Sequence, residues 1–390
     1  METTKYVLKD LLTIKNGKDH KALADGPYPV FGTGGVMRYA EKYLYDKVSI
    51  LLPRKGTLTN IQYVDQPFWT VDTIYYTVVN EKLADPYYLF CYVNSLDLSG
   101  YDSGASIPSM TQKAYNKIKI NLPDKETQKT LGEAIKAYDD LIENNNKRIA
   151  ILEQMAENLY KEWFVRFRFP GYETAEFEDG IPVGWERTAF EKIASFQNGY
   201  AFKSEELLNS SELDTYEVFK QGHIKRGGGF KADGTKSWYP KSKCDDIKKF
   251  VLHKKDILMA MTDMKDNVAI LGNTALLPHD NRYILNQRVG LLRPTNYRKV
   301  GFAYIYLLTN SYDFVHDLRS RANRGVQVNL SAAQIRASET VVPSEEININ
   351  FEQVINPIFE EIFNIINQNE NLTKQRDLLL PRLMSGKLEV

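Results

Sequence analysis

Cysteine is scarce in this chain, long apolar runs are missing, and so is any net charge; each scarcity removes a class of protein. Cys91 and Cys244 form no Cys-x-x-Cys pair and no Cys/His ligand spacing, which indicates neither a disulfide framework nor a zinc site. No segment has the roughly 20 consecutive apolar residues of a membrane helix, and the opening Met-Glu-Thr-Thr-Lys lacks the apolar stretch of a signal peptide. The expectation is a soluble, cytoplasmic protein with no membrane partner. Lys and Arg number 50, and so do Asp and Glu, so total charge points to no partner. A Gly-x4-Gly-Lys-Ser/Thr loop is absent, so nucleotide-driven translocation is not encoded here. The histidines, His20, His223, His253, His279 and His316, are scattered without ligand or triad spacing.

What the chain does contain is a duplication. Seam residues at Leu131, Ile135, Tyr138, Ile142, Asn145, Ile149, Leu152, Ala156, Leu159 and Trp163 alternate four and three apart, the heptad pattern of a coiled coil. The same steps recur at Phe351, Ile355, Ile358, Ile362, Ile365, Asn369, Leu372, Arg376, Leu379 and Leu383. Pro123 and Pro343 are 220 residues apart, as are Leu131 and Phe351. Weaker echoes lie upstream. Asp46-Lys-Val-Ser-Ile-Leu-Leu matches Asp256-Ile-Leu-Met-Ala-Met, Trp69-Thr-Val-Asp-Thr-Ile matches Ile284-Leu-Asn-Gln-Arg-Val, and the run from Gly104 to Gln112 matches that from Gly325 to Ala333. A repeat this large is not a solenoid unit. It is two globular domains, each followed by a helical arm.

Short β-type runs such as Val48-Ser-Ile-Leu-Leu and Ile74-Tyr-Tyr-Thr-Val-Val, separated by turn residues, predict an α+β domain. The boundaries read as a first domain over 1–122, a central helix over 123–168, a second domain over 169–343 and a C-terminal helix over 344–390. A helix of some 40 residues is about 60 Å long and needs a partner for its stripe. The expected architecture is two similar globular domains joined by two long antiparallel helices in a coiled coil, with pseudo-twofold symmetry. Facing Asn145 with Asn369 sets the register, because a buried Asn specifies alignment at some cost in stability. That register puts Leu131 opposite Leu383, Trp163 opposite Phe351, and Arg376 over Tyr138 as a cation–π pair. Pro357 and Pro381 are expected to kink or end the second helix.

The neutral total hides a local asymmetry. From Lys220 to Lys255 there are 11 Lys or Arg against three acids, Asp233, Asp245 and Asp246, and the Lys-, Gly- and aromatic-rich part around 220 to 245 is an insert with no obvious upstream counterpart. Arg319, Arg321 and Arg324 form a second cluster beside Asp317.

Leu141-Ile-Glu-Asn-Asn-Asn-Lys-Arg-Ile after Leu122-Pro123, and Gln375-Arg-Asp-Leu-Leu-Leu-Pro-Arg-Leu-Met-Ser-Gly near the end, closely resemble the specificity subunit of Type I restriction-modification systems. The resemblance covers the whole chain. It implies a non-catalytic subunit that binds double-stranded DNA, each recognition domain reading one half of an interrupted target. The helices would set the spacing and dock two methyltransferase subunits, to which restriction subunits are recruited. No cofactor would bind this chain; S-adenosylmethionine, ATP and Mg would sit on the partners.

A DNA reader needs cations for phosphates and forked polar groups for base edges. In the first domain the candidates are Lys15 beside Asn16-Gly17, Arg54-Lys55 beside Gly56, and Ser106, Ser109 and Gln112. In the second they are Lys220, Gln221, Lys225, Arg226, Lys265, Arg321, Arg324 and Gln327. Arg54, Arg324 and Gln327 suit base reading best, and Trp238-Tyr239 offers a stacking pair or, more simply, core. Asp85-Pro86-Tyr87-Tyr88 lacks the second proline of a methyltransferase motif, and Phe31-Gly32-Thr33-Gly34-Gly35 lacks the middle glycine of its cofactor loop. The alternative to a DNA reader is a coiled-coil assembly scaffold whose globular domains bind protein.

Overall fold

The computed structural model describes residues 2–98, 108–264, 268–324 and 327–384, without the side chains of Arg324, Leu383 and Met384. The chain divides into two compact units, one of Met1–Asn144 with Asn369–Val390 and one of Asn145–Gln368. Each unit therefore holds one globular domain and a stretch of each long helix.

In the first unit β1 (Thr4–Val7), α1 (Leu8–Leu11), β2 (Leu12–Asn16), β3 (Tyr28–Gly32), β4 (Gly35–Ala40), β5 (Ser49–Pro53), β6 (Gln62–Val64), β7 (Trp69–Thr70) and β8 (Ile74–Val79) are followed by α2 (Pro86–Asn94), α3 (Gln112–Asn116), β9 (Lys119–Leu122) and α4 (Lys125–Tyr160). The strands form a sheet of order β2-β8-β5-β6, a sheet β4-β3-β7 in which β3 runs parallel to β7, and the pair β1-β9. In β9, Ile120 and Leu122 are buried while Lys119 and Asn121 are exposed, the alternation of a half-buried strand. Pairing Thr4 with Leu122 ties the start of the domain to the strand that feeds α4. Asp85 caps α2 through its carboxylate, which accepts from the Tyr88 N–H at 2.9 Å, and Pro86 takes the first helical position, where no N–H is needed. The core joins Leu8, Leu11, Ile50, Leu52, Tyr88 and Tyr115 to Leu131 and Ile135 of α4.

In the second unit a five-residue π turn, Lys161–Val165, continues α4, and two short strands follow, β10 (Phe177–Glu178) and β11 (Ile181–Pro182). The unit then repeats the order with β12 (Glu186–Ala189), β13 (Ala194–Asn198), β14 (Thr215–Phe219), β15 (Trp238–Pro240), β16 (Ile257–Ala260), β17 (Thr262–Met264), β18 (Thr274–Leu276), β19 (Tyr283–Leu285) and β20 (Val289–Pro294). α5 (Phe302–Thr309), α6 (Tyr312–Arg321), β21 (Asn323–Arg324), β22 (Gln327–Asn329), α7 (Ala332–Arg336), β23 (Glu339–Val342) and α8 (Glu345–Met384) complete it; α8 extends beyond Gln368 into the first unit. The pairings recur: β12 with β23, β13 with β20, β16 with β20, and β14 parallel to β19. Small bonds recur too. The Leu8 N–H reaches the Ile118 carbonyl at 2.8 Å, and the Phe190 N–H reaches that of Ser338 at 2.8 Å. The ladders correct one sequence echo. Leu52-Pro53 pair with Tyr75-Ile74, and Met259-Ala260 with Gly290-Val289, so Pro53 corresponds to Ala260 and the two aspartates, Asp46 and Asp256, are not equivalents.

Inside each unit the helix segments run antiparallel. In the second, the Trp163 and Phe351 rings lie 5.5 Å apart and Arg148 pairs with Glu361 at 2.8 Å. In the first, Leu379 and Leu380 pack against the core that holds Ile135. Asn145 is 2% exposed and Asn369 is half-buried; they belong to different units. Arg376 departs from the expected cation–π pairing. Its guanidinium binds the carboxylate of Asp139, the neighbour of Tyr138, and Asp139 also accepts from the Tyr87 hydroxyl. A charge-assisted hydrogen bond outweighs a ring face. Leu383, expected opposite Leu131, has its side chain outside the described residues. The prolines do not end α8, which is helical from Glu345 to Met384. Pro357 and Gln353, whose carbonyl loses its donor, are both exposed, so water can take the missing bond.

Candidate nucleic-acid interface

The first domain gathers its candidates around the end of β5. The Met110 N–H bonds the Arg54 carbonyl at 3.0 Å and the Gly56 N–H bonds the Pro108 carbonyl at 2.9 Å. Lys55 bridges to Ser109. Gln112, at the start of α3, donates from Nε2 to Asn16 Oδ1 at 3.0 Å, which brings in Lys15 and Gly17. Lys15 and Lys55 are exposed, and neither has a carboxylate at ion-pair distance among the described residues. Arg54 is half-buried and donates to the Asp72 carbonyl at 3.2 Å, so part of its fork is already used. Gly17 cannot be replaced: an added Cβ would stand 2.0 Å from the Val71 carbonyl oxygen. Ser106 lies outside the described residues.

Two residues that sequence reasoning missed complete this surface. Thr33, at the tip between β3 and β4, donates to the Lys55 carbonyl at 2.9 Å and to that of Thr73 at 3.0 Å. Asn60 donates to the Thr33 carbonyl. Both are single polar residues in loops, and nothing in their spacing marks them.

The second domain builds the same surface from different side chains. The Leu330 N–H bonds the Met261 carbonyl at 2.9 Å, and Thr262 pairs with Asn329. Met261, Thr262 and Asn329 thus stand where Arg54, Lys55 and Ser109 stand in the first domain. Ser331 caps α7 at 3.2 Å as Thr111 caps α3 at 3.2 Å. Gln221 donates to the Thr262 carbonyl, the counterpart of the Thr33 bond. Asn198-Gly199 matches Asn16-Gly17, with a Cβ on Gly199 falling 2.1 Å from the Asn286 carbonyl oxygen; this Asn-Gly echo is a signal that the sequence carries. Gln327 is exposed on β22, opposite Met264. Lys265 and the Arg324 side chain lie outside the described residues.

Much of the basic run from Lys220 to Lys255 is occupied at home. Lys225 pairs with Glu153 of α4 at 3.5 Å, Lys231 with Asp233 at 3.7 Å, Lys241 with Asp214 at 3.6 Å, and Lys254 and Lys255 with Glu360 at 2.7 and 3.0 Å. Arg321 is tied to Asp317 one turn earlier on α6. Lys225 and Arg321, both DNA candidates, each have a carboxylate within reach in the same unit. Lys220, Arg226 and Lys236 have no carboxylate at that distance among the described residues. Arg319 is structural, donating to the Leu271 and Ala269 carbonyls and to Asn273 at 2.9 to 3.1 Å. Tyr239 is buried core and Trp238 half-buried.

Known proteins place this arrangement. A family model described as the Type I restriction modification DNA specificity domain matches residues 2–154 and 182–377. The chain belongs to this family. It carries the specificity domain twice, and the matched segments include both surfaces described above. The chain is 24% identical over 367 residues to the Type I restriction enzyme HindI specificity subunit of Haemophilus influenzae, 79% of each chain being covered. It is 22% identical over 362 residues to the MjaIX specificity subunit of Methanocaldococcus jannaschii, with 89% of this chain and 79% of that one covered. In structure it resembles the Type-I restriction-modification S subunit from M. genitalium, with a TM-score of 0.62 at 16% identity, covering 98% of this chain and 96% of that one.

Each specificity domain is joined to its long helix by a polar clamp. Gln128 of α4 accepts from the Asp85 N–H at 2.9 Å and donates to the Leu83 and Pro123 carbonyls at 3.2 and 2.9 Å. Asn348 of α8, which is 220 residues on, accepts from the Gly301 N–H at 3.2 Å and donates to the Tyr297 and Arg298 carbonyls at 3.4 and 3.3 Å. The cap is inverted between repeats. Asp85 caps α2 and faces Gly132, where a Cβ would meet its Oδ1 at 2.8 Å; Gly301 opens α5 and faces Glu352, where a Cβ would meet the carboxyl carbon at 2.1 Å. Burial pushes the Glu352 carboxyl up to about 7, although the Tyr304 and Ala303 N–H groups and Lys255 oppose it.

A second buried titratable group serves the fold. His223 is fully buried and meets Glu217 at 3.2 Å. Burial would raise Glu217, but the His223 bond and the charges of Arg282 and His223 hold it below the usual range. Asp85-Pro86 is a helix cap and Phe31–Gly35 a hairpin. Among the described residues no cluster of His, Cys, Asp or Glu could hold a metal ion, and no helix is long and apolar enough to cross a membrane.

Proposed function

We propose that this chain supplies the target specificity of a Type I restriction-modification complex and performs no catalysis itself. Each domain reads one half of an interrupted double-stranded DNA target. Two adenine methyltransferase subunits carry S-adenosylmethionine, and restriction subunits carry ATP and Mg. The observation that carries this reading is the pair of surfaces built on one plan, with Arg54, Lys55 and Ser109 in one replaced by Met261, Thr262 and Asn329 in the other. A shared scaffold with exchanged side chains fits two different half-sites. Lys15, Arg54, Lys55, Ser109 and Gln112 serve the first, and Lys220, Gln221, Arg226 and Gln327 the second. Ser106, Lys265 and Arg324 complete the two sets. Ile151 and Met155 of α4, 61% and 50% exposed, supply apolar area for a methyltransferase subunit. Asn145 and Asn369 are proposed to set the helix register.

The test is the salt dependence of DNA binding by the chain assembled with its methyltransferase subunits. Log affinity falls linearly with log salt, by about 0.9 for each neutralised phosphate; a slope of several is expected. An assembled complex with no affinity for DNA at low salt would leave the protein-scaffold reading.

A further inference from the structure

The largest difference between the repeats falls at one place. Two residues, Thr33 and Gly34, connect β3 to β4, whereas the equivalent strands β14 and β15 are connected by 18, Lys220–Ser237. Most of the basic insert is thus an enlarged hairpin tip. Both tips are pinned at the same point, Thr33 Oγ1 on the Lys55 carbonyl and Gln221 Nε2 on the carbonyl of its equivalent, Thr262. That anchor places each tip beside the candidate surface.

The two tips present different chemistry there. Beyond Thr33 the first tip is nearly bare: a Cβ on Gly34 or Gly35 would meet nothing within 4 Å, and Gly35 has a φ of +110°. Its exposed groups are backbone, the Val36 side chain and the neighbouring Lys55. A bare tip lets backbone approach a duplex closely. The second tip returns on itself, with Gly222 lying 3.3 Å (from an added Cβ) from the Thr235 nitrogen. This brings Lys220 and Lys236, at its two ends, to the same part of the loop. The turn at 225–229 is tied to the rest of the unit, the Gly229 N–H bonding the Thr274 carbonyl at 2.9 Å and Lys225 pairing with Glu153.

Resting on the reading of the chain as a DNA specificity subunit, we propose that these tips are the specificity-determining segments: residues 33–36 contact duplex DNA at one half-site, and Lys220, Gln221 and Lys236 contact it at the other. Tip length and composition then set how each domain engages its half, while the sheets behind stay the same. Loops on a fixed scaffold are where recognition changes most readily.

The test uses the full chain with its methyltransferase subunits, comparing wild type, Gly34→Asp and the double change Lys220→Ala with Lys236→Ala. Methylated adenines are sequenced in cells, and binding and melting temperature are measured on the purified complexes. Gly34→Asp has open space around it, so melting is expected to be unchanged while binding falls about tenfold or more by like-charge repulsion, with degeneration confined to one half of the motif. The double change is expected to reduce the salt slope by about two and to weaken the other half. The proposal is overturned if wild type yields a two-part motif and both variants, correctly folded, keep its affinity and sequence. A wild-type complex that yields no two-part motif overturns the underlying reading instead.

Discussion

Glu352 of α8 faces the start of α5, with its carboxyl pushed up to about 7 by burial. In the unfolded chain it titrates near the ordinary value of about 4.3. Between those values the folded state holds more protons, so stability falls as pH rises through that window. Glu352→Gln keeps an acceptor for the Tyr304 N–H and removes the charge. It is expected to gain about 2 kcal/mol on wild type between pH 5 and pH 8, read from urea unfolding at both; an equal difference at the two pH values contradicts the assignment. Arg376 makes a second residue-scale case. Its pair with Asp139 is 28% and 29% exposed, between the surface and buried limits, so Arg376→Ala is expected to cost about 2 kcal/mol, and much less when Asp139 is already Asn. The seam position of Arg376 was legible from heptad spacing. Its partner was not, because Asp139 and Tyr138 are adjacent and spacing does not choose between a carboxylate and a ring.

At the scale of elements, the inverted cap offers a direct exchange. Gly132→Glu alone would press a carboxylate against Asp85, and Asp85→Gly alone would uncap α2. Made together they reproduce the Gly301 and Glu352 arrangement, so the double change is expected to be less destabilising than the summed single changes by about 1–3 kcal/mol, measured by a urea double-mutant cycle. Strict additivity would contradict the equivalence. The long helices, the strand style and the repeat were readable because hydrophobic period and turn residues are local properties. The pairings were not. β3 joins β7 in parallel across intervening strands, and the identity of the basic insert with a hairpin tip depends on that long-range pairing. The prolines do not end α8 because solvent on the exposed face can replace the bond that proline removes.

At the scale of the molecule, the duplication itself was legible, and so was the family, through motifs at the helix ends. The DNA surfaces were only half legible. Charge counting drew attention to the Lys220–Lys255 run, yet Lys225, Lys231, Lys241, Lys254 and Lys255 pair with acids of the same unit, and composition says nothing of which cations are so occupied. The account's central claim is that the two domains read two different halves of one DNA target. Sequencing methylated adenines in cells that carry this chain with its methyltransferase subunit, against cells that lack the chain, tests it most directly. The account predicts an interrupted two-part motif that vanishes with the chain. An unchanged methylation pattern, with the complex shown to assemble, would contradict it.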